Sequence, residues 1–128
     1  RITQRGFAGQ AVAAPHGTAV ASLLAGNAGG FRGGAPGASL FVADVYGGSR
    51  AGGSAEAVAR ALSWMAENRV PVINVSLVGP RNAVVDAAIR RLSERGTIIV
   101  AAVGNDGPAA PPLYPAAYDS VIGVTAVN

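Results

Sequence analysis

Short apolar runs alternate along the chain with stretches of helical period, and that alternation limits the fold more than any other feature. Ser39-Leu40-Phe41-Val42-Ala43-Asp44-Val45-Tyr46 has the length and apolar continuity of a buried strand. Pro71-Val72-Ile73-Asn74-Val75-Ser76-Leu77 repeats the pattern, with its proline at the first position, where a strand tolerates the missing N–H. Residues 97–102 are rich in β-branched side chains and give a third strand, and residues 121–127 a fourth. Between the first two runs, Ser54 is placed to cap a helix reaching about Asn68, with Glu56 favourable to the dipole in its first turn and Val58, Leu62 and Met65 on its inner face. Between the second and third, Asn82 opens a helix whose apolar stripe is Val85, Ala88, Ile89 and Leu92. Asp86 and Arg90 pair across one of its turns, and Gly96 stops it. Strands alternating with helices imply crossover units, hence an α/β fold: a parallel β-sheet with helices on both faces, three layers in all. Ligands of such sheets bind beyond the carboxyl ends of the strands, here the loops at 47–53, 77–81 and 103–108. Residues 1–14 show no period and read as a loop.

Composition narrows the function classes. The 128 residues suit one domain. Only 13% are charged, against about 25% in an ordinary globular domain. So little polar surface implies a face meant to be covered, by missing parts of its own domain or by another copy in a homo-oligomer. The basic residues are all arginines, scattered along the helices with a formal net charge of +3. Nucleic-acid binding needs a patch or stripe, so no nucleic-acid partner is expected. No cysteine offers a thiolate or a disulfide, and no apolar run has the length of a membrane span. No signal-peptide pattern opens the sequence. No glycine fingerprint links a strand to a helix, and no lysine P-loop is present, which argues against a nucleotide cofactor.

One segment does not read as scaffold. Pro15-His16-Gly17-Thr18-Ala19-Val20-Ala21-Ser22-Leu23-Leu24-Ala25-Gly26 turns from a loop into a helix of small residues and carries the sole histidine of the chain. His16 falls in the first turn of that helix. Histidine is the side chain suited to moving protons near neutral pH, but on this segment alone a surface or capping role is the plainer reading.

Other blocks change that balance. His16-Gly17-Thr18-Ala19-Val20-Ala21 resembles the block around the catalytic histidine of the subtilisin-like serine peptidases. Ala35-Pro36-Gly37-Ala38-Ser39-Leu40 resembles the turn into that family's next core strand. Val72-Ile73-Asn74-Val75-Ser76-Leu77, followed by Gly79-Pro80, resembles its central strand and the start of the substrate cleft. Ile98-Ile99-Val100-Ala101-Ala102-Val103-Gly104-Asn105 resembles the strand ending at its oxyanion asparagine, and Tyr114-Pro115-Ala116-Ala117-Tyr118 onward the segment after it. The blocks follow the family's order across residues 15–127.

The resemblance implies a serine endopeptidase acting by a Ser-His-Asp triad. A serine hydroxyl becomes nucleophilic when an imidazole takes its proton, and a carboxylate fixes the imidazole's tautomer. His16 would be that base, and Asn105 would donate its side-chain amide to the oxyanion. Gly52, Gly53 and Ser54 would lie on one edge of the substrate cleft, and Ser76, Leu77 and Gly79 on the other. Ala102 and Gly104 would line the primary specificity pocket, their small size leaving room for a sizeable apolar side chain. The substrate would be a peptide or protein, and the family's habit implies secretion or a periplasmic home.

Two features depart from the family. Its aspartate strand upstream of the histidine and its glycine-threonine-serine helix start downstream of the asparagine have no match within residues 1–128, so the chain reads as the central part of the catalytic domain, inactive alone. Val78 stands where two glycines usually follow Ser-Leu, and a β-branched residue there cannot take a positive φ cheaply. That departure also suggests a catalytically silent, peptide-binding module as the alternative. Asn27–Gly34 carries no carboxylate, so the calcium site common in the family, which needs acidic oxygen ligands, is not expected; no metal or other cofactor is implied.

Overall fold

The computed structural model describes residues 1–49 and 53–127. The chain forms two compact units, Arg1–Ala57 and Val58–Asn128. Both are built on parallel strands.

In the first unit, strand β1 (Ile2–Gly6) pairs in parallel with β4 (Leu40–Asp44), Ile2 opposite Leu40 and Gly6 opposite Asp44. β4 lies inside the first apolar run, but β1 falls where the sequence reads as a loop. Ile-Thr-Gln-Arg-Gly carries one large apolar residue, so nothing in its own pattern marks it as a strand. Pairing with β4 makes it one, an override of local preference by context. Helix α1 (Pro15–Ala25) covers the His16 block and stops at Gly26. A two-residue hairpin follows, β2 (Asn27–Ala28) against β3 (Phe31–Arg32). Its turn is Gly29-Gly30 with φ of 57° and 83°, the doubly positive turn that glycine supplies without a steric cost.

Helix α2 (Ala55–Glu67) begins at the end of the first unit and buries Ala57, Ala61, Leu62, Trp64 and Met65. The expected inner face of Val58, Leu62 and Met65 is thus rotated slightly, and Val58 is half-buried.

In the second unit, β5 (Val72–Val75), β6 (Ile98–Ala102) and β7 (Ile122–Val124) form a parallel sheet in that order. Helix α3 (Ala83–Glu94) packs on β6 and buries Val85, Ile89 and Leu92. Ile73, Ile99 and Ala101 form the sheet's buried face. Val72, Ile98, Ile122 and Val124 point the other way and are about half exposed. β7 is shorter than the run 121–127 that announced it. Hydrogen bonding groups β4 with β1 and the other three expected strands with one another.

The helix ends follow their sequence signals. Asn82 Oδ1 accepts the N–H groups of Val84 and Val85 at 3.0 and 3.1 Å, which caps α3. Gly96, at φ 89°, closes it, with Thr97 N–H on Leu92 C=O and Gly96 N–H on Ser93 C=O. Among the described residues no helix is long and apolar enough to cross a membrane.

Candidate active site

His16 is the second residue of α1, directly after Pro15, and its side chain is exposed. Proline suits that entry because its missing N–H would have had no partner within the helix. Ala14 C=O accepts the N–H of Thr18 at 2.9 Å, so the first turn is closed by backbone alone, without a side-chain cap.

The remaining first-unit residues of interest bear on the loop after β4. Asp44 ends that strand, and its carboxylate accepts three backbone N–H groups: Val12 at 2.8 Å, Tyr46 at 2.9 Å and Gly47 at 3.0 Å. Burial raises the pKa of this carboxyl, but the three donors outweigh it and hold Asp44 below the ordinary carboxylate range. Gly53 stands so close to Val45 that a Cβ would lie 2.8 Å from Val45 Cγ2 and 3.0 Å from its carbonyl oxygen. Only glycine fits there. Ser54 Oγ accepts the N–H of Ala57 at 3.1 Å, the helix cap expected from sequence. Gly52, assigned to the same edge, lies outside the described residues.

In the second unit, β6 delivers Val103-Gly104-Asn105 to a cavity of about 560 Å³. Gly104 has φ 93°, a left-handed conformation natural to glycine, and it turns the chain so that Asn105 lines the cavity and stays exposed. Asp106, Leu113 and Ala116 share the lining. Ala102 does not line it; it sits one step back, half-buried and paired with Val124 in the sheet.

The loop after β5 and the loop before β7 are joined by two backbone hydrogen bonds, Gly79 N–H to Tyr114 C=O at 2.8 Å and Tyr114 N–H to Gly79 C=O at 3.0 Å. Both backbone groups of Gly79 are therefore committed to Tyr114 rather than open along an edge. Ser76 Oγ accepts from Asn74 Nδ2 at 2.8 Å. Leu77 is half-buried, and Val78 is 43% exposed. Among the described residues Arg69 is the one non-glycine with positive φ, so Val78 is accommodated without the backbone strain expected of it. A further tie comes from Tyr118, whose hydroxyl accepts from Asn82 N–H at 3.0 Å and donates to Asn82 C=O at 2.9 Å. The segment behind the cavity is thereby fastened to the start of α3.

Asp106 falls in the 103–108 loop expected to face a ligand, but the sequence does not single out Leu113 and Ala116 as lining residues. The run Pro111-Pro112-Leu113-Tyr114-Pro115 is their only visible signal, a stiff stretch between two strands. Which wall that stretch builds depends on the Gly79 and Tyr118 contacts, both long-range.

The description of the subtilase family matches residues 10–128. The major intracellular serine protease of Bacillus subtilis (strain 168) is 36% identical over 120 residues, covering 88% of this chain and 38% of that protein. The minor extracellular protease Epr of the same organism is 34% identical over 116 residues, covering 88% of this chain and 18% of that one. The chain thus spans well under half the length of these curated relatives. The solved S218A mutant of the protease domain of PatA superposes with a TM-score of 0.89 over 99% of this chain and 50% of that one. At 23% identity that likeness is one of fold, and it identifies the α/β arrangement as subtilisin-like. With the family's pattern matched over nearly its whole length and relatives at a third identity, this chain belongs to the subtilase family.

Proposed function

We propose that the protein containing residues 1–128 is a serine endopeptidase, with His16 as its general base and Asn105 as an oxyanion donor. The observation that carries this reading is Asn105 itself. It follows a parallel strand at its carboxyl end, on a turn that Gly104 sets, with its side chain at a cavity large enough for part of a peptide. Family membership supports the role of His16, which opens a helix in an exposed position.

The chemistry is acyl transfer. The imidazole takes the serine hydroxyl proton as Oγ bonds to the scissile carbonyl carbon. The carbonyl oxygen becomes an oxyanion and accepts from the Asn105 amide. Collapse breaks the C–N bond, and the imidazolium gives its proton to the leaving amine. Water then repeats the sequence on the acyl-enzyme. Neither the serine nor the aspartate of this scheme has a family-type counterpart within residues 1–128, so these residues alone should hydrolyse no peptide. For the substrate backbone, Leu77 and Val78 are the better edge, since Gly79 is held by Tyr114. The relatives include an intracellular and an extracellular protease, and secretion of this protein is proposed from the family's habit.

A catalytically silent, peptide-binding module is the second reading, favoured by the exposed Val78 side chain where glycine is usual. A fluorophosphonate probe separates the two. In the full-length protein it should label a serine outside residues 1–128, and cleavage should vanish on His16→Ala. Peptide binding with neither labelling nor cleavage would establish the silent module. An adduct on a serine within residues 1–128, with cleavage by that segment alone, would overturn the residue assignments.

A further inference from the structure

Residues 105–107 are Asn-Asp-Gly, and this is the only Asp-Gly step in the sequence. It comes directly after the strand end that delivers Asn105 to the cavity. Asp106 and Gly107 are both exposed. Among the described residues, no hydrogen bond or ion pair holds the Asp106 carboxylate, and no acceptor holds the Gly107 N–H. A Cβ built on Gly107, at φ 86°, would meet nothing within 4 Å. The other aspartates are placed differently. Asp44 accepts three backbone N–H groups and precedes the β-branched Val45. Asp86 sits in α3, paired with Arg81 and Arg90. Asp119 precedes Ser120, whose side chain crowds the approach to its own N–H.

We propose that Asp106–Gly107 is a site of spontaneous isoaspartate formation, and that the modification switches the cavity off by displacing Asn105. The second half rests on the reading of Asn105 as the oxyanion donor. The Gly107 nitrogen attacks Asp106 Cγ. A C–N bond forms, the Cγ–O bond breaks, and the hydroxyl leaves as water with the Gly107 amide proton. The product is a cyclic succinimide. Water then reopens the ring at either carbonyl. Opening at Cγ restores aspartate. Opening at the α-carbonyl leaves Gly107 attached through Cγ, so the backbone gains one methylene and the α-carboxylate becomes the side group. The reaction consumes no oxidant and no cofactor. A side chain at 107 would block the attack, and a held carboxylate or N–H would oppose the rotation that brings the two atoms together. None of these is present. The added methylene falls at the residue after Asn105, ahead of the turn that Gly107 C=O closes with Ala110 N–H at 3.2 Å. It has to be absorbed between the end of β6 and that turn, which is where Asn105 stands.

The test ages the full-length protein in neutral buffer. Isoaspartate is read by methyl transfer from protein isoaspartyl methyltransferase and located by peptide mapping. Turnover of a fluorogenic peptide is followed on the same samples, and intact mass excludes autolysis. Isoaspartate should accumulate at 106, and not at 44, 86 or 119, through an intermediate lighter by one water. Loss of an oxyanion donor costs subtilisin about 10²–10³ in kcat, so the remaining turnover should track the unmodified fraction. Asp106→Glu, whose longer side chain closes the corresponding ring far more slowly, should accept no methyl group at 106 and keep its own starting turnover throughout. Gly107→Ala should slow both changes several-fold; if the positive φ prevents that variant from folding, Asp106→Glu still decides. No isoaspartate at 106 while a denatured sample converts overturns the assignment. So does conversion with turnover undiminished. If the fresh protein cleaves nothing, the peptidase reading falls and calorimetry replaces turnover. Conversion at 106 with loss of peptide affinity then sustains the site, and conversion with affinity unchanged overturns it.

Discussion

Helices α1 and α3 are nearly equal in length and opposite in construction. α3 has a side-chain cap at Asn82, a glycine stop at Gly96, an Asp86–Arg90 ion pair at 3.5 Å with Arg81 also on Asp86 at 3.6 Å, and three buried apolar residues. α1 has no side-chain cap, no acid in its first turn, no base in its last and no buried residue, and Leu23 is 66% exposed. The side-chain cap, the dipole-matched charges, the ion pair and the buried stripe are present in α3 and absent from α1, which has its Pro15 entry and its Gly26 end. α3 is explained by its own stability, because its residue types are the ones a half-buried helix needs. α1 is not, so the identities of its residues answer to another requirement. A proton-transferring His16 behind Pro15 and before Gly17 is the requirement we favour.

The contrast can be broken most sharply by pairing one substitution in each helix. In the full-length protein, His16→Ala should abolish peptidase turnover, a loss of ~10⁶ in kcat for the corresponding change in subtilisin, with little movement of the thermal midpoint. Ile89→Ala should do the reverse. That residue is 1% exposed, and truncating a buried isoleucine costs about 2–5 kcal/mol, read by denaturant unfolding. Should His16→Ala destabilise as much as Ile89→Ala while turnover persists, α1 would be scaffold after all.

A smaller effect sharpens the same comparison at the caps. Asn82→Ala should cost about 0.5–2 kcal/mol, since two N–H groups of α3 lose their acceptor. Ala14→Ser should instead stabilise α1, by about 1 kcal/mol or less, because it supplies an acceptor the wild type lacks. Equal responses at both helices would show that α1 is already satisfied by other means.

The smallest expected effect concerns Asp44, the polar anchor of the first unit. Its folded-state pKa is lowered, so the carboxylate's contribution is fully present above its unfolded pKa, about 3.9. It fades as pH falls through the lower folded value. Asp44→Asn should therefore reduce stability at neutral pH, and the gap from wild type should narrow as pH falls below the unfolded value and through the lower folded one. A difference between wild type and variant that stays constant across that acid range would refute the role of the three N–H bonds.

How much was legible follows from where each signal resides. α3, β5 and β6 could be read because cap, period and β-branched content all lie within the element. β1 could not, because its strand state comes from β4, more than thirty residues along the chain. The β2–β3 hairpin has arms of two residues each, too short for any period. At the site, Asn105 was readable because Gly104 and the strand before it are its immediate neighbours. Leu113 was not, since its place over Gly104 is fixed by the Tyr114 bonds to Gly79. Gly79 shows the same limit from the other side: its position in a family-like block gave no sign that Tyr114 holds both its backbone groups.

That Gly79–Tyr114 ladder has a consequence for how such a cleft changes over time or in the laboratory. The separation between its two loops is held by main-chain atoms, which every residue type but proline possesses. The groups that shape its interior, Val78 and Leu113, adjoin the ladder without being rungs of it. Shape and frame are consequently under separate control. A library randomised at 78 and 113 alone should yield members that remain folded yet differ in what they admit, so new preferences are reachable by single steps without passing through an unfolded ancestor.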